Sequence, residues 1–324
     1  MKSNARIGID LMGSETSPEA LFQAVLQFHQ ESPSSELIVF ATRDVLEEVD
    51  SPFETVAVKE VIDMEDDPML AVRRKKEASM LVGMRFLEEK RLDGFVAAGN
   101  TGALLLGAKT TLKMLPGIDR PALLTLLPTQ GKEIAVLDVG ANLNLKPQHI
   151  LQFAAMGIAY QKTRGIKQPT VGLLNVGTEA KKGTPELREA YFKLESLNRN
   201  FPTFVGNVEG RQAFQGGIDV LVTDGFTGNI FLKTAEGVAA FVLGELEQSL
   251  LEECSPHLKG VLSQLRHRLH YAEYPGAILC GIDGIVVKCH GDSTPEALLN
   301  GIRGTARLIQ HNFLENIKKQ LFLY

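Results

Sequence analysis

Short apolar runs alternate with longer helix-patterned segments along the whole chain, and this rhythm constrains the fold more than any other feature. Residues 7–9, 37–40, 95–97, 122–127, 134–137, 171–174, 220–222 and 285–288 read as strands, several of them apolar throughout. Residues 18–30, 43–49, 68–90, 102–114, 148–161, 185–197, 234–253 and 294–321 read as helices. Strands without polar alternation are buried on both faces. The pattern therefore predicts an α/β fold, a three-layer α/β/α sandwich around a mostly parallel, Rossmann-like sheet. Ligands in that class bind beyond the carboxyl ends of the strands.

No linker rich in Pro, Gly or Ser marks a boundary, so residues 1–324 read as a single α/β/α domain. A helical amphipathic excursion at about 242–275 departs from the rhythm. There Leu258, Val261, Leu262, Leu265 and Leu269 recur at helix spacing opposite Lys259, Arg266, His267, Arg268 and His270. Such a basic amphipathic helix packs on the core, on a second subunit or on an anionic membrane surface.

The junction from Gly94 to Leu106 is a buried strand that passes through Gly99-Asn100-Thr101-Gly102 into a helix. Glycine allows a tight turn, and the unpaired N–H groups and positive dipole end of the helix face whatever sits there, so a phosphate fits. Asn100 and Thr101 add side-chain donors, and Thr101 also suits the helix N-cap; an ordinary capped connection is the plain alternative. Similar loops follow other strands: Asp10 to Ser14 with Gly13, Asp138 to Asn142, Asn175 to Glu179, Thr223 to Asn229, and His290 to Ser293. Their glycines and neutral amides and hydroxyls suit a small oxyanion better than a divalent cation, and no metal site is expected. Arg73, Lys75, Lys76, Lys181, Lys182 and Lys233 are the cations near these loops; each also reads as a solvated surface charge.

Composition narrows the partners. A net charge of −5 argues against bulk attraction to nucleic acid. Cys254, Cys280 and Cys289 lack metal or redox spacing and read as free thiols. No apolar run approaches the roughly 20 residues of a membrane span, and the first residues lead into a strand, so a cytoplasmic address is expected. Absent motifs narrow the chemistry further. There is no phosphate-binding P-loop, dinucleotide fingerprint or serine-hydrolase elbow, and no histidine is followed five residues later by aspartate, the signature of glycerol-phosphate-type acyltransferases.

The runs Ala98 to Leu104, Gly117 to Ala122, Leu137 to Asn142, Gln152 to Gly157, Gly172 to Gly177, Lys182-Gly183, Phe204 to Gly210 and Asp224 to Asn229, with Asp10-Leu11-Met12-Gly13 and His290-Gly291, cover nearly the whole chain. In that order they resemble phosphate acyltransferases of the PlsX type, which act in bacterial phospholipid synthesis. Ser14, Ala98, Pro275, Cys280 and Asp292 depart from the usual family pattern.

The resemblance implies a fold similar to phosphotransacetylase and to isocitrate and isopropylmalate dehydrogenases. It also implies a reaction without a cofactor: inorganic phosphate attacks the thioester of acyl carrier protein and releases acyl phosphate and free carrier. The chemistry requires little acid or base help. Phosphate, with a second pKa of about 6, is largely anionic at neutral pH, and a leaving thiol of pKa about 8.5 departs easily. Positioning and oxyanion stabilisation remain for the protein.

On this reading Gly99, Asn100, Thr101 and Gly102 bind phosphate. Lys182 and Asn229 neutralise charge or stabilise the oxyanion, and Asp224 orients one of them. Asp10, Gly13, Asn142, Asn175 and His290 line the cleft. Arg73, Lys75, Lys76, Arg266 and Arg268 dock the acidic acyl carrier protein. The family expectation adds a homodimer, a downstream membrane glycerol-3-phosphate acyltransferase and peripheral membrane contact. An acyl-CoA phosphotransferase and a noncatalytic anion-sensing protein are the alternatives; a decarboxylating dehydrogenase lacks its metal-binding carboxylates.

Overall fold

The computed structural model describes residues 5–197, 204–250, 256–269, 276–289 and 294–321. Its strands are β1 (Arg6–Asp10), β2 (Glu36–Thr42), β3 (Glu54–Val58), β4 (Gly94–Ala97), β5 (Ala122–Leu127), β6 (Ile134–Leu137), β7 (Val171–Leu174), β8 (Phe204–Val208), β9 (Val220–Val222), β10 (Ala277–Cys280) and β11 (Val286–Lys288). The helices are α1 (Pro18–Glu31), α2 (Arg43–Val49), α3 (Pro68–Arg74), α4 (Ser79–Glu88), α5 (Thr101–Thr111), α6 (Pro147–Thr163), α7 (Pro185–Leu197), α8 (Gly210–Phe214), α9 (Gly225–Leu250), α10 (Pro256–Leu269), α11 (Pro295–Gln310) and α12 (Phe313–Leu321).

The strands form one eleven-stranded sheet in the order β3-β2-β1-β4-β11-β10-β5-β6-β9-β7-β8. Successive side chains alternate between its faces and create two cores. Val39 and Val96 point toward α1, α6, α7, α11 and α12, whereas Phe40 and Phe95 point toward α3, α4, α5, α8 and α9. The three-layer sandwich expected from the alternation is therefore present. Among the described residues, no helix is long and apolar enough to cross a membrane.

The sheet is mostly parallel, but β10 runs antiparallel to both β11 and β5, and β5 antiparallel to β6. Antiparallel neighbours connect through hairpins and need no crossover helix. The helical layer therefore has a gap over the centre of the sheet, and α9 lies across it. The three reversals also turn β6, β7, β8 and β9 opposite to β1, β4 and β11. Their carboxyl-terminal loops consequently leave from opposite ends of the strands.

Several boundaries differ from those read from periodicity. The expected 68–90 helix divides into α3 and α4, because residues 75–78 turn to lie beside Glu60. The Glu77 N–H donates to Glu60 Oε2 at 2.9 Å and the Ser79 N–H to the Glu60 carbonyl at 3.3 Å. The expected 294–321 helix breaks at Asn312, whose φ of 53° is left-handed. Helix α9 starts at Gly225 rather than 234, so the latter part of the expected Thr223 to Asn229 loop is its first turn. Strands β3, β8 and β10 had no periodic signal: the first two are sheet edges, and β10 is only four residues long. The excursion is helical over α10; residues 251–255 and 270–275, including Cys254 and His270, lie outside the described residues. Cys280 and Cys289 are buried free thiols.

Candidate active site

The Gly99 to Gly102 turn lies where β4 ends and α5 begins. Asn100, not Thr101, is the N-cap: its Oδ1 accepts the Ala103 N–H at 3.0 Å. Its Nδ2 donates to the carbonyls of Asp63, Met64 and Asp66 at 3.3, 3.0 and 3.1 Å. That side chain is committed to the scaffold, which corrects the expectation of an Asn100 donor to phosphate. The groups left for an anion are the first N–H groups of α5, on Thr101 and Gly102, which have no intrahelical acceptor. The loop after β1 backs this turn. Gly13 adopts a φ of 71°, and a Cβ there would stand 2.4 Å from the Ile62 carbonyl oxygen and 3.7 Å from Gly99 Cα.

Asp10 is buried behind the turn. Its Oδ1 accepts the Met12 N–H at 3.0 Å, and its Oδ2 has no hydrogen-bond partner. Burial pushes its carboxyl up from 3.8 to about 7, against the smaller opposing pull of the Met12 N–H and the Ser79 hydroxyl. A carboxyl whose folded pKa exceeds its unfolded value holds its proton more tightly in the native state. Its stabilising contribution is present below about 4 and lost as the pH climbs through about 7. Urea denaturation should therefore show wild type losing about 3 kcal/mol relative to Asp10→Asn between pH 5 and pH 8. Parallel stability curves would contradict this placement.

The second group of loops has its own order. Asp138 Oδ1 accepts the N–H groups of Leu123, Gly140 and Ala141, and Oδ2 accepts the Asn142 N–H and Nδ2. Asn142 Nδ2 also donates to the Pro121 carbonyl at 2.7 Å. Asn175 donates to the Lys182 carbonyl and to Asn207 Oδ1, and its own Oδ1 accepts the Val176 N–H. Asn142 and Asn175 were expected to line the cleft; both are buried and hold their loops together instead. Asp224 caps α9 by accepting the Thr227 N–H at 2.8 Å and its hydroxyl at 2.7 Å. It positions Asn229 only through that helix. Lys182 is half-exposed, with Glu179 4.0 Å away, in the Asn175 loop.

A cavity of about 220 Å³ fills the gap under α9. Its floor is one face of the central strands, including Leu123, Thr125, Leu127, Ala277 and Lys288; its roof includes Asn229, Leu232 and Ala239 of α9. Thr101, at the start of α5, lies in the wall, and Leu269 of α10 also contributes. The cavity thus joins the anion-binding turn to Asn229 across an apolar surface. Lys182, Asp224, Asn142 and Asn175 are not among its lining residues. His290 lies outside the described residues. Cys289 reaches the cavity, but burial pushes its thiol up to about 11, so it is no thiolate at neutral pH.

Lys288 is the cation missed by the sequence reading. It is only 6% exposed, and its Nζ donates to the carbonyls of Ala98 and Cys289. A lysine ending the apolar run Ile285-Val286-Val287, just before a glycine-bearing loop, was the available signal.

Among the residues assigned to carrier docking, Lys75 donates to the Val61 carbonyl at 2.8 Å and pairs with Asp66 at 2.5 Å. Arg268 donates to the Thr129 carbonyl at 2.5 Å and Arg266 pairs with Glu247 at 3.3 Å. Lys75 and Arg268 are thus tied to the scaffold, a correction to their docking role. Arg73 and Lys76 are exposed, beside exposed Met69 and Leu70 on α3. Helix α3 abuts the phosphate turn: a Cβ on Gly102 would come within 2.6 Å of Pro68.

Comparison with solved structures places this architecture with the phosphotransacetylases. A phosphotransacetylase from Streptococcus pyogenes superposes with a TM-score of 0.66 at 17% identity, over 96% of this chain and 95% of that one. A branched-chain phosphotransacylase from Enterococcus faecalis follows at 0.58 and 15%, over 95% and 99%. A 4-hydroxythreonine-4-phosphate dehydrogenase from Klebsiella pneumoniae gives 0.54 and 13%, over 95% and 100%. At these identities the likeness is one of fold. Sequence comparison is more specific: a family model described as "Fatty acid synthesis protein" matches residues 5–316. Phosphate acyltransferases from Caldicellulosiruptor bescii and Chlamydia abortus are 39% and 40% identical, each over 98% of this chain and 98% and 99% of their own lengths. The chain belongs to this family, the phosphate acyltransferases of the PlsX type, and is an acyltransferase of fatty acid and lipid synthesis.

Proposed function

We propose that the protein transfers a long-chain acyl group from acyl carrier protein to inorganic phosphate, forming acyl phosphate and free carrier for phosphatidic acid synthesis. The observation that carries this reading is the cavity under α9, an apolar pocket that opens at one wall onto the N-terminus of a helix. A fatty chain suits the first environment and a phosphate the second. Phosphate is already a nucleophile at neutral pH, so the residues need only hold it at about 3–3.5 Å from the thioester carbonyl and offer donors to the developing oxyanion. Asn229, at the cavity roof, is the oxyanion donor in this scheme, and Lys182 supplies charge from the neighbouring loop. The protonated thiol of Cys289 supports direct attack rather than an acyl-enzyme. Incubation with palmitoyl carrier protein should release free thiol only when phosphate is present; equal release without phosphate would overturn the assignment.

The carrier docks on α3 in this reading. Met69 and Leu70 offer an apolar contact, and Arg73, Arg74 and Lys76 an exposed basic rim, beside the cavity. Reversing Arg73 and Lys76 to glutamate should raise KM for acyl carrier protein about tenfold through lost charge complementarity, with KM for phosphate unchanged. An unaltered carrier KM would remove α3 as the docking surface.

The protein works in the cytoplasm as a homodimer on this account, and a membrane glycerol-3-phosphate acyltransferase consumes its acyl phosphate. Exposed Ile230, Val238, Phe241 and Val242 give α9 an outward apolar side that supports the dimer. The same side, with basic α10 beside it, supports the peripheral membrane contact.

A further inference from the structure

We infer that Lys288 is the cation that seats the phosphate, clamping it against the first N–H groups of α5. The inference deepens the acyl-transfer reading and rests on it. Lys288 ends β11, one strand from Ala97 of β4, with which it is in register. Ala98 follows directly, and the Lys288 Nζ reaches its carbonyl at 3.4 Å, so the ammonium lies at the entrance to the Gly99 to Gly102 turn. Lys288, Ala277 and Thr125 form one row across β11, β10 and β5. All three belong to the cavity floor, and Thr101 lies in the wall.

A lysine 6% exposed is costly to bury, and a facing anion offsets that cost. The carbonyl oxygens of Ala98 and Cys289 accept its N–H groups without supplying a full negative charge, whereas a dianion in the adjoining space does. The other lysine in the lining, Lys233, is exposed and pairs with Glu236 at 2.9 Å. Lys288 is therefore the better placed to act on phosphate. It stays a cation throughout: it draws the dianion in, holds it while an oxygen attacks the thioester carbonyl, and takes part in no proton transfer. The leaving thiolate takes its proton from water.

The test compares wild type with Lys288→Met and Lys288→Arg. Removing a charge-assisted contact predicts a KM for phosphate raised about 10- to 100-fold in Lys288→Met, with KM for the acyl carrier thioester nearly unchanged. Arginine should restore much of the loss. Phosphate should raise the melting temperature of wild type and of Lys288→Arg but not of Lys288→Met. Unchanged phosphate KM and an unchanged phosphate-induced melting shift in Lys288→Met would overturn the assignment. If Lys288→Met does not fold, Lys288→Gln, which keeps a donor for the Ala98 carbonyl without the charge, carries the same expectation. The two readings fail separately. Wild type that never cleaves the thioester with phosphate defeats the acyl-transfer reading, whereas the melting shifts still decide whether Lys288 holds the anion.

Discussion

Gly228→Ala is expected to cost about 3 kcal/mol or more of folding stability, at the upper end of overpacking penalties. A Cβ at that position would stand 1.9 Å from the Asp138 carbonyl oxygen, 3.0 Å from its carbonyl carbon and 2.8 Å from Thr223 Cγ2. Two of these atoms are backbone, held by the Asp138 hub that ties Leu123, Gly140, Ala141 and Asn142 together. No flexible side chain can yield, so α9 must lift away. That helix carries Asn229 and roofs the cavity, so activity should fall with stability. Gly237, on the same helix, has open space where a Cβ would stand, with nothing within 4 Å, and Gly237→Ala should stabilise by about 0.5–1 kcal/mol through helix propensity. Urea denaturation of both variants is the check; wild-type stability in Gly228→Ala would show that the helix does not approach the β6 loop this closely.

The second large effect concerns the acyl chain. Ala239 lines the cavity from α9, and phenylalanine there fills space that a fatty chain would occupy. Each methylene kept out of an apolar site forfeits about 0.8 kcal/mol, so excluding four costs roughly 3 kcal/mol. Ala239→Phe should therefore lower kcat/KM for a 16-carbon acyl carrier substrate about 100-fold, while an eight-carbon substrate is nearly unaffected. Equal losses for both chain lengths, measured side by side, would show that the chain binds elsewhere.

Much of the architecture was legible because it is local. The apolar runs at β4, β5, β6 and β7 are buried on both faces, and such strands announce themselves without partners. The turn at Gly99 to Gly102 was legible for the same reason: a strand, two glycines and a helix are adjacent in the chain. What escaped depends on contacts distant in sequence. Glu60 breaks the 68–90 helix from the far side of a loop, and periodicity carries no trace of that contact. The hairpin reversals through β5 and β10 depend on strand order, yet they create the cavity and divide the loops between opposite strand ends.

The polar residues show a further limit. Asn100, Asn142, Asn175 and Asp224 were singled out for their donors and acceptors, but residue type does not say whether those atoms face a ligand or the chain's own backbone. In each case the structure turns them inward to caps and loop ties. Lys288 was overlooked for the opposite reason: a lysine at a strand end reads as a surface charge, and only burial reveals it.

The central claim is that this pocket joins an orthophosphate to a fatty acyl group. Phosphorus NMR of the purified enzyme with palmitoyl carrier protein and phosphate follows that bond directly. The account predicts an acyl phosphate resonance that grows in step with free carrier thiol. Thiol release with orthophosphate as the only phosphorus species would contradict it, because the thioester would then have gone to water.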